Sequence, residues 1–256
     1  MSLSQAIQIS PNTDYLAEQL RPYIIQRQDN ALKQRNKFRI AVSGGTLPTL
    51  LAKSLLVAPE SEVQFSKWEI FFADERLVPL NHELSNYKLL KDDLLDKIPS
   101  KMGSPKIHTI DERFIDEDSG RKIAELYQER IRQTFGDQSI TNVPIFDLIL
   151  LGCGPDGHTC SLFLGHDLLR EEKAWVAPET NSPKPPSRRI SLTLPVVTAA
   201  SAICFIAPRE ESDGALKHVF TAQGDKPLPA GVVNQLGQEK VSWFTDPAAM
   251  EGVNVQ

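Results

Sequence analysis

The stretch that most constrains this chain is residues 146–166, FDLILLGCGPDGHTCSLFLGH. It contains a wholly apolar run, Leu148–Leu151, too short for a buried helix and bounded by glycine. That is the pattern of a strand buried on both faces of a parallel sheet. Gly152, Gly154 and Gly157 then punctuate a tight loop, and residues 159–164 are expected to open a helix. A strand, a Gly-rich loop and a helix start together form an anion site, because free N–H groups and the positive dipole end face whatever lies above the strand. The loop also carries Asp156 and His158, side chains that orient or move a proton.

This loop is open to several readings. Gly152-x-Gly154-x-x-Gly157 has the form of a dinucleotide fingerprint, and Glu179 lies about 20 residues on, where a ribose-binding acid is expected. Residues 152–159 also approach a P-loop, with His158 in the lysine slot. Against both, Asp156 puts a carboxylate where a pyrophosphate would approach, and no lysine is in place to meet β/γ-phosphates. A third reading makes His158 the base of a hydrolytic or isomerising site. The plainest reading is a tight turn holding a satisfied histidine.

Similar short apolar runs recur, at 38–42 (FRIAV), 68–73 (WEIFFA), 202–206 (AICFI) and 241–245 (VSWFT). Shorter strands are expected at 106–110, 174–177 and 190–194. Helical spacing is expected at 11–28, capped by Asn12 or Thr13, with 26–37 as a polar linker. Further helices are expected at 47–56, from Ser85 or Asn86 through Lys97, at 119–135 with its buried stripe on Ile123, Leu126, Tyr127 and Ile131, and at 213–220. Strands alternating with helices predict one doubly wound α/β domain over residues 1–256, a three-layer, Rossmann-like, mostly parallel sheet with helices on both faces. At 256 residues the chain is long enough for a large core.

Three further segments point to an anionic ligand. Ser43-Gly44-Gly45-Thr46 is a second Gly-rich loop between strand and helix: it suits a phosphate, or equally an ordinary turn with Thr46 as N-cap. Asp74-Glu75-Arg76 follows a buried strand, at the sheet end where ligands bind. Arg76 there meets an anion or developing oxyanion, or forms a surface ion pair with its acidic neighbours. Residues 181–189, NSPKPPSRR, hold Lys184, Arg188 and Arg189 on a proline-stiffened loop. A rigid basic loop in a chain of net charge −5 suits an anionic ligand, or is a stiff connector. The net negative charge, without a basic patch, argues against nucleic acid. No apolar run nears the about 18 residues that span a bilayer. The N-terminus lacks a secretory pattern, and three cysteines suit reduced thiols in the cytoplasm.

Taken together, these blocks resemble the 6-phosphogluconolactonase family. They are Ser43-Gly44-Gly45-Thr46, Asp74-Glu75-Arg76, Ser85-Asn86-Tyr87, LGCGPDGHTCSLF at 151–163, SPKPPSRRISLTLP at 182–195 and VSWFTDPAA at 241–249, in the family's order. One departure is Leu164, where many members have proline, with a packing effect expected. The related glucosamine-6-phosphate deaminases usually carry Tyr at the position of Arg76 and Asn-Glu near Ser161-Leu162-Phe163, and both differences favour the lactonase. The resemblance implies hydrolysis of 6-phosphoglucono-δ-lactone, with His158 as general base, Asp156 orienting it or bonding the loop backbone, and Arg76 and Lys184 meeting the oxyanion and sugar-acid oxygens. Ser43, Gly44, Gly45, Thr46, Asn86 and Arg188 are then candidates for the phosphate and neighbouring hydroxyls. No cofactor or metal is implied, nor a covalent nucleophile: no Gly-x-Ser-x-Gly elbow is present. A monomer or weak homodimer is expected. A deaminase-like isomerase or a non-catalytic sugar-phosphate-binding paralogue are the alternatives.

Overall fold

The structure is a computed structural model that describes residues 6–116, 120–136, 143–221 and 227–253. In chain order its elements are β1 (Ala6–Ile9), α1 (Thr13–Arg35), β2 (Phe38–Val42), α2 (Leu47–Leu55), β3 (Trp68–Phe72), β4 (Asp74–Arg76), α3 (Asn86–Asp93), β5 (Lys106–Ile107), α4 (Arg121–Phe135), β6 (Leu148–Leu151), β7 (Val176–Glu179), β8 (Arg189–Leu192), α5 (Leu194–Ala199), β9 (Ile203–Ile206), α6 (Arg209–Ser212), α7 (Ala215–Thr221), α8 (Pro229–Gly237) and β10 (Val241–Thr245).

Seven strands form a sheet in the order β1-β10-β9-β6-β2-β3-β5, every pairing parallel. The apolar runs are its centre: β2, β3, β6, β9 and β10 are almost wholly buried. Strand alternation divides their side chains between two cores. Ala41, Phe71, Ile149, Leu151, Phe205 and Trp243 face one core, which α4, α5, α7 and α8 cover. Ile40, Val42, Phe72, Leu150 and Ile206 face the other, under α1, α2 and α3. The expected α/β arrangement with helices on both faces is therefore present.

From β2 the chain adds β3 and β5 on one side; from β6 it adds β9 and β10 on the other. The strand order thus reverses between β2 and β6. In open α/β sheets that switch point leaves a crevice beyond the carboxyl ends of the strands, where ligands bind. Both Gly-rich loops, 43–46 and 152–158, border this crevice.

Several expectations are corrected. No α-helix follows the loop after β6; residues 159–164 form turns, with an isolated bridge between Thr159 and Leu162, and a single 3-10 turn comes only at Asp167–Arg170. The dinucleotide and P-loop readings therefore lose the helix they need. Glu179 instead accepts from Asn181 N–H at 2.7 Å and meets His166 Nδ1 at 2.9 Å. Asp74-Glu75-Arg76 is itself a strand, in a second sheet ordered β4-β8-β7 with antiparallel pairs. α1 runs through the expected polar linker to Arg35, because that linker is built mostly of good helix formers, and ends where Asn36 takes a left-handed φ of 55°. Its cap is Asn12, whose Oδ1 accepts from Tyr15 N–H at 2.9 Å. α3 stops at Asp93, and β5 is only Lys106–Ile107. β1, α5, α6 and α8 were not expected. The expected helix start at Ser119 and most of the acidic cluster at 116–118 lie outside the described residues. Leu164 is 44% exposed, so the expected packing effect has no core contact behind it. Among the described residues no helix is long and apolar enough to cross a membrane.

Candidate active site

A cleft of ≈ 330 Å³ opens at the switch point, lined in part by Ser43, Gly44, Gly45, Arg76, His158 and Lys184. The structure thus brings together six of the residues singled out in the sequence, from four separate segments.

The loop after β6 aims His158. Gly154 N–H donates to His158 C=O at 3.0 Å, Gly157 N–H donates to Gly154 C=O at 2.8 Å, and Thr159 Oγ1 donates to Gly152 C=O at 2.9 Å. The turn folds the imidazole over Gly154, where a Cβ would lie 2.2 Å from ring atoms Cε1 and Nδ1. Only glycine admits this approach. On its far side the ring stacks on Phe163, centroids 4.7 Å apart. Nδ1 lies 2.5 Å from Asp156 Oδ1. Burial acts to raise the Asp156 carboxyl, but the bond and charge of His158 and the charge of Lys184 outweigh it and hold the group well below the usual carboxylate range. Asp156 is therefore ionised at neutral pH. A carboxylate on Nδ1 selects the tautomer with its proton there, leaving Nε2 as an acceptor.

β4 and β8 supply the cations. Their register sets Asp74 opposite Ser191, Glu75 opposite Ile190 and Arg76 opposite Arg189. Side chains alternate along a strand, so Asp74, Arg76 and Arg189 line the cleft together while Glu75 turns away. Buried and only 1% exposed, Glu75 accepts from Arg76, Asn86 and Tyr87 N–H at 2.8, 2.7 and 2.9 Å. Burial pushes its carboxyl up to about 7, against the pull of those donors. It fixes the start of α3 to β4 and with it the backbone of Arg76. Arg76 Nη1 donates to Leu84 C=O at 2.9 Å, and its buried Nε has no hydrogen-bond partner among the described residues. Asp74 accepts from Ser161 Oγ at 2.8 Å, tying the second sheet to the histidine loop.

The proline loop delivers Lys184. Its ends are joined by Ser182 N–H donating to Ser187 C=O at 3.0 Å, and the Pro185–Pro186 bond is cis. Lys184 Nζ lies 3.4 Å from both Asp156 Oδ1 and His158 Nδ1. Arg189, 2% exposed, holds the loop from beneath: Nη2 donates to Lys184 C=O at 2.8 Å and Nε to Pro186 C=O at 3.0 Å.

Three of the sequence candidates sit elsewhere. Arg188 donates to Ile115 C=O at 2.7 Å, outside the cleft, because adjacent residues at the start of β8 face opposite ways. Asn86 lies beneath the first loop, its Nδ2 donating to Asp74 C=O at 2.8 Å. Thr46 N–H donates to Glu211 Oε1 at 2.6 Å. Sequence reading missed Glu211 as a cleft residue, and it gave Arg189 and Asp74 no role of their own beyond membership of the basic loop and of the charged block after β3. For Arg189 a signal existed in the alternation of RISL, once the strand is started one residue earlier.

The cysteines are poor nucleophiles here. Burial first, then the charges of Asp156 and Glu211, push Cys153 up to about 12, and burial holds Cys160 well above its ordinary 9.0. Both are neutral thiols at neutral pH. Among the described residues no group of three or more His, Cys, Asp or Glu side chains is placed to hold a metal ion.

Comparison with known proteins gives the family. A family model described as glucosamine-6-phosphate isomerases/6-phosphogluconolactonase matches residues 11–243. The chain is 43% identical over 236 residues to a probable 6-phosphogluconolactonase of Schizosaccharomyces pombe, covering 91% of this chain and 90% of the relative. It is 40% identical over 253 residues to the 6-phosphogluconolactonase of Rattus norvegicus, covering 97% and 94%. The solved structure of 6-phosphogluconolactonase from Trypanosoma cruzi superposes with a TM-score of 0.82 at 25% identity, covering 99% of this chain and 98% of that one. On this match along nearly its whole length, the chain belongs to the glucosamine-6-phosphate isomerase/6-phosphogluconolactonase family.

Proposed function

We propose that this cleft hydrolyses 6-phospho-D-glucono-1,5-lactone to 6-phospho-D-gluconate, in the oxidative pentose phosphate pathway. The observation that carries the reading is the His158–Asp156 pair, 2.5 Å apart, facing a cleft that Arg76 and Lys184 also line. His158 takes a proton at Nε2 from a water that attacks the lactone carbonyl carbon. The carbonyl π bond opens and leaves an oxyanion, which Arg76 stabilises with donors not already committed to Leu84. The tetrahedral intermediate collapses, the bond to the ring oxygen breaks, and His158 returns the proton to that leaving oxygen. Asp156 holds the imidazolium that forms between these steps. Lys184, held in place by Arg189, binds the substrate's anionic and hydroxyl oxygens, and Ser43, Gly44 and Gly45 its phosphate. Arg188 and Asn86 support these segments from outside the cleft, while Thr46 presents its N–H at the cleft edge, bonded to Glu211.

The reading calls for no cofactor, metal, nucleic acid or membrane partner. With it go a single domain over residues 1–256, a cytoplasmic location and a monomer or weak homodimer. Opening of freshly generated lactone, followed by proton release with spontaneous hydrolysis subtracted, tests the reaction. Acceleration by the protein supports it. Release of ammonia from glucosamine-6-phosphate without lactone opening would replace it with the deaminase reading, and binding of sugar phosphate without turnover would replace it with the binding paralogue.

A further inference from the structure

At the end of the cleft bordered by Ser43, Gly44 and Gly45 the structure already holds a carboxyl of its own. Glu211 sits on α6, a single helical turn following β9. Arg209 anchors that turn to the C-terminal segment: its N–H donates to Asp246 Oδ2 at 2.9 Å and its Nη1 to Ala248 C=O at 2.8 Å. Glu211 is thereby aimed back between the two Gly-rich loops. Oε1 accepts from Thr46 N–H at 2.6 Å, at the start of α2. A Cβ on Gly45, whose φ is +70°, would lie 2.2 Å from that same oxygen, and one on Gly152 would lie 3.2 Å from Oε2. Both glycines leave room for this carboxylate. Ser43 lines the same cleft, is only 7% exposed, and its Oγ has no hydrogen-bond partner among the described residues.

The cradle thus has a helix N-terminus, close-approach glycines and an unused hydroxyl, and its resident charge comes from 165 positions away in the chain. Burial raises the Glu211 carboxyl above its ordinary value, and the bonds to Thr46 and the charges of His158 and Lys184 offset only part of that rise.

We propose that Glu211 is the resident anion of this cradle in the free protein, that the substrate's phosphate must displace it, and that Glu211 therefore sets affinity for the phosphorylated end of the substrate. This rests on the lactonase reading. A carboxylate and a phosphate dianion cannot share one N–H cluster, since like charges this close repel strongly. The phosphate brings more charge and one more oxygen, which Ser43 Oγ is placed to meet. Glu211 must then turn out toward solvent when substrate binds, and its return hastens release of the phosphorylated product.

A simple helix cap would require the same bond to Thr46 and would be indifferent to phosphate, so the test uses Glu211→Gln. Its amide oxygen still accepts from Thr46 N–H, and its charge is gone. Inorganic phosphate is titrated calorimetrically into wild type and variant. The KM for phosphorylated lactone is measured against that for unphosphorylated gluconolactone. The expected result is phosphate binding on the order of ten-fold tighter in Glu211→Gln, with the ratio of the two KM values falling by a similar factor, because one close like charge is removed. Unchanged or weaker phosphate binding in a variant that keeps the wild-type Tm would overturn the proposal. The phosphate titration needs no turnover. Tighter phosphate binding in a protein that opens no lactone would support the role of Glu211 and sink the lactonase reading alone.

Discussion

Lys184 and Arg188 carry the same charge on one loop, yet only Lys184 turns into the cleft. Arg188 spends a donor on Ile115 C=O at 2.7 Å. Charge counting treats the two alike; the geometry separates them. Lys184→Met is expected to raise KM for the phosphorylated lactone by roughly ten-fold or more, since a charge-assisted hydrogen bond is worth about 1.5–3 kcal/mol. Arg188→Met is expected to act mainly on Tm, by releasing the segment at Ile115. Steady-state kinetics and thermal melts on both variants check this. Equal KM effects would show that the loop turns over when substrate binds. Sequence alone could place Ser43, Gly44, Gly45, Arg76, His158 and Lys184 at the site because their blocks end strands or interrupt them with glycine and proline. It could not place Glu211, one of three acids in a short polar turn with Glu210 and Asp213 and no periodic signal, whose partner Thr46 is remote in the chain.

At the level of elements, the small sheet positions the catalytic end of the cleft. β8 places Arg189 under the proline loop, where it donates to Lys184 C=O at 2.8 Å and Pro186 C=O at 3.0 Å. Arg189→Lys keeps the charge but has no planar fork to meet several carbonyls. It is expected to lower kcat/KM by about ten-fold or more through misplacement of Lys184, and to increase proteolytic cleavage between 182 and 188. Wild-type cleavage rates with reduced kcat/KM would mean that Arg189 acts on substrate directly rather than through the loop. Two of its strands were expected, at 174–177 and 190–194, and lie at Val176–Glu179 and Arg189–Leu192; β4 and the pairing of the three were illegible for a physical reason. Asp74-Glu75-Arg76 has no apolar residue to mark a strand, and β7 contains Pro178. The strands exist because β4 pairs with β8 and puts its acidic and basic side chains to use. The helix expected after β6 failed for the opposite reason: a strong local pattern, strand then glycines, was overridden by bonds from Gly154 and Thr159 that close the loop on itself.

For the molecule as a whole, the parallel sheet was legible because burial on both faces leaves wholly apolar runs, which polar segments do not imitate. The same burial predicts an acid weakness. His108 is 4% exposed and stacks on Phe71 with centroids 4.1 Å apart. Burial, then the charge of Lys106, lowers its pKa from the ordinary 6.5 to about 4. A depressed histidine is neutral in the fold and charges on unfolding, so its stabilising share is present above pH 6.5 and is lost as pH falls toward 4. That share is about 3 kcal/mol. The stability difference between wild type and His108→Leu, from denaturant melts, should therefore shift by that order between pH 7 and pH 4. A difference independent of pH would contradict it. The central claim is that the switch-point cleft opens the lactone with His158 as base, and one assay tests it most directly. Glucose-6-phosphate dehydrogenase generates the lactone, 6-phosphogluconate dehydrogenase reports its opening, and wild type is compared with His158→Gln after subtraction of the uncatalysed rate. The account predicts clear acceleration by wild type and a loss of about 10²–10⁴ in kcat/KM for the variant, the usual worth of a general base. A folded His158→Gln variant within a few-fold of wild type would contradict it.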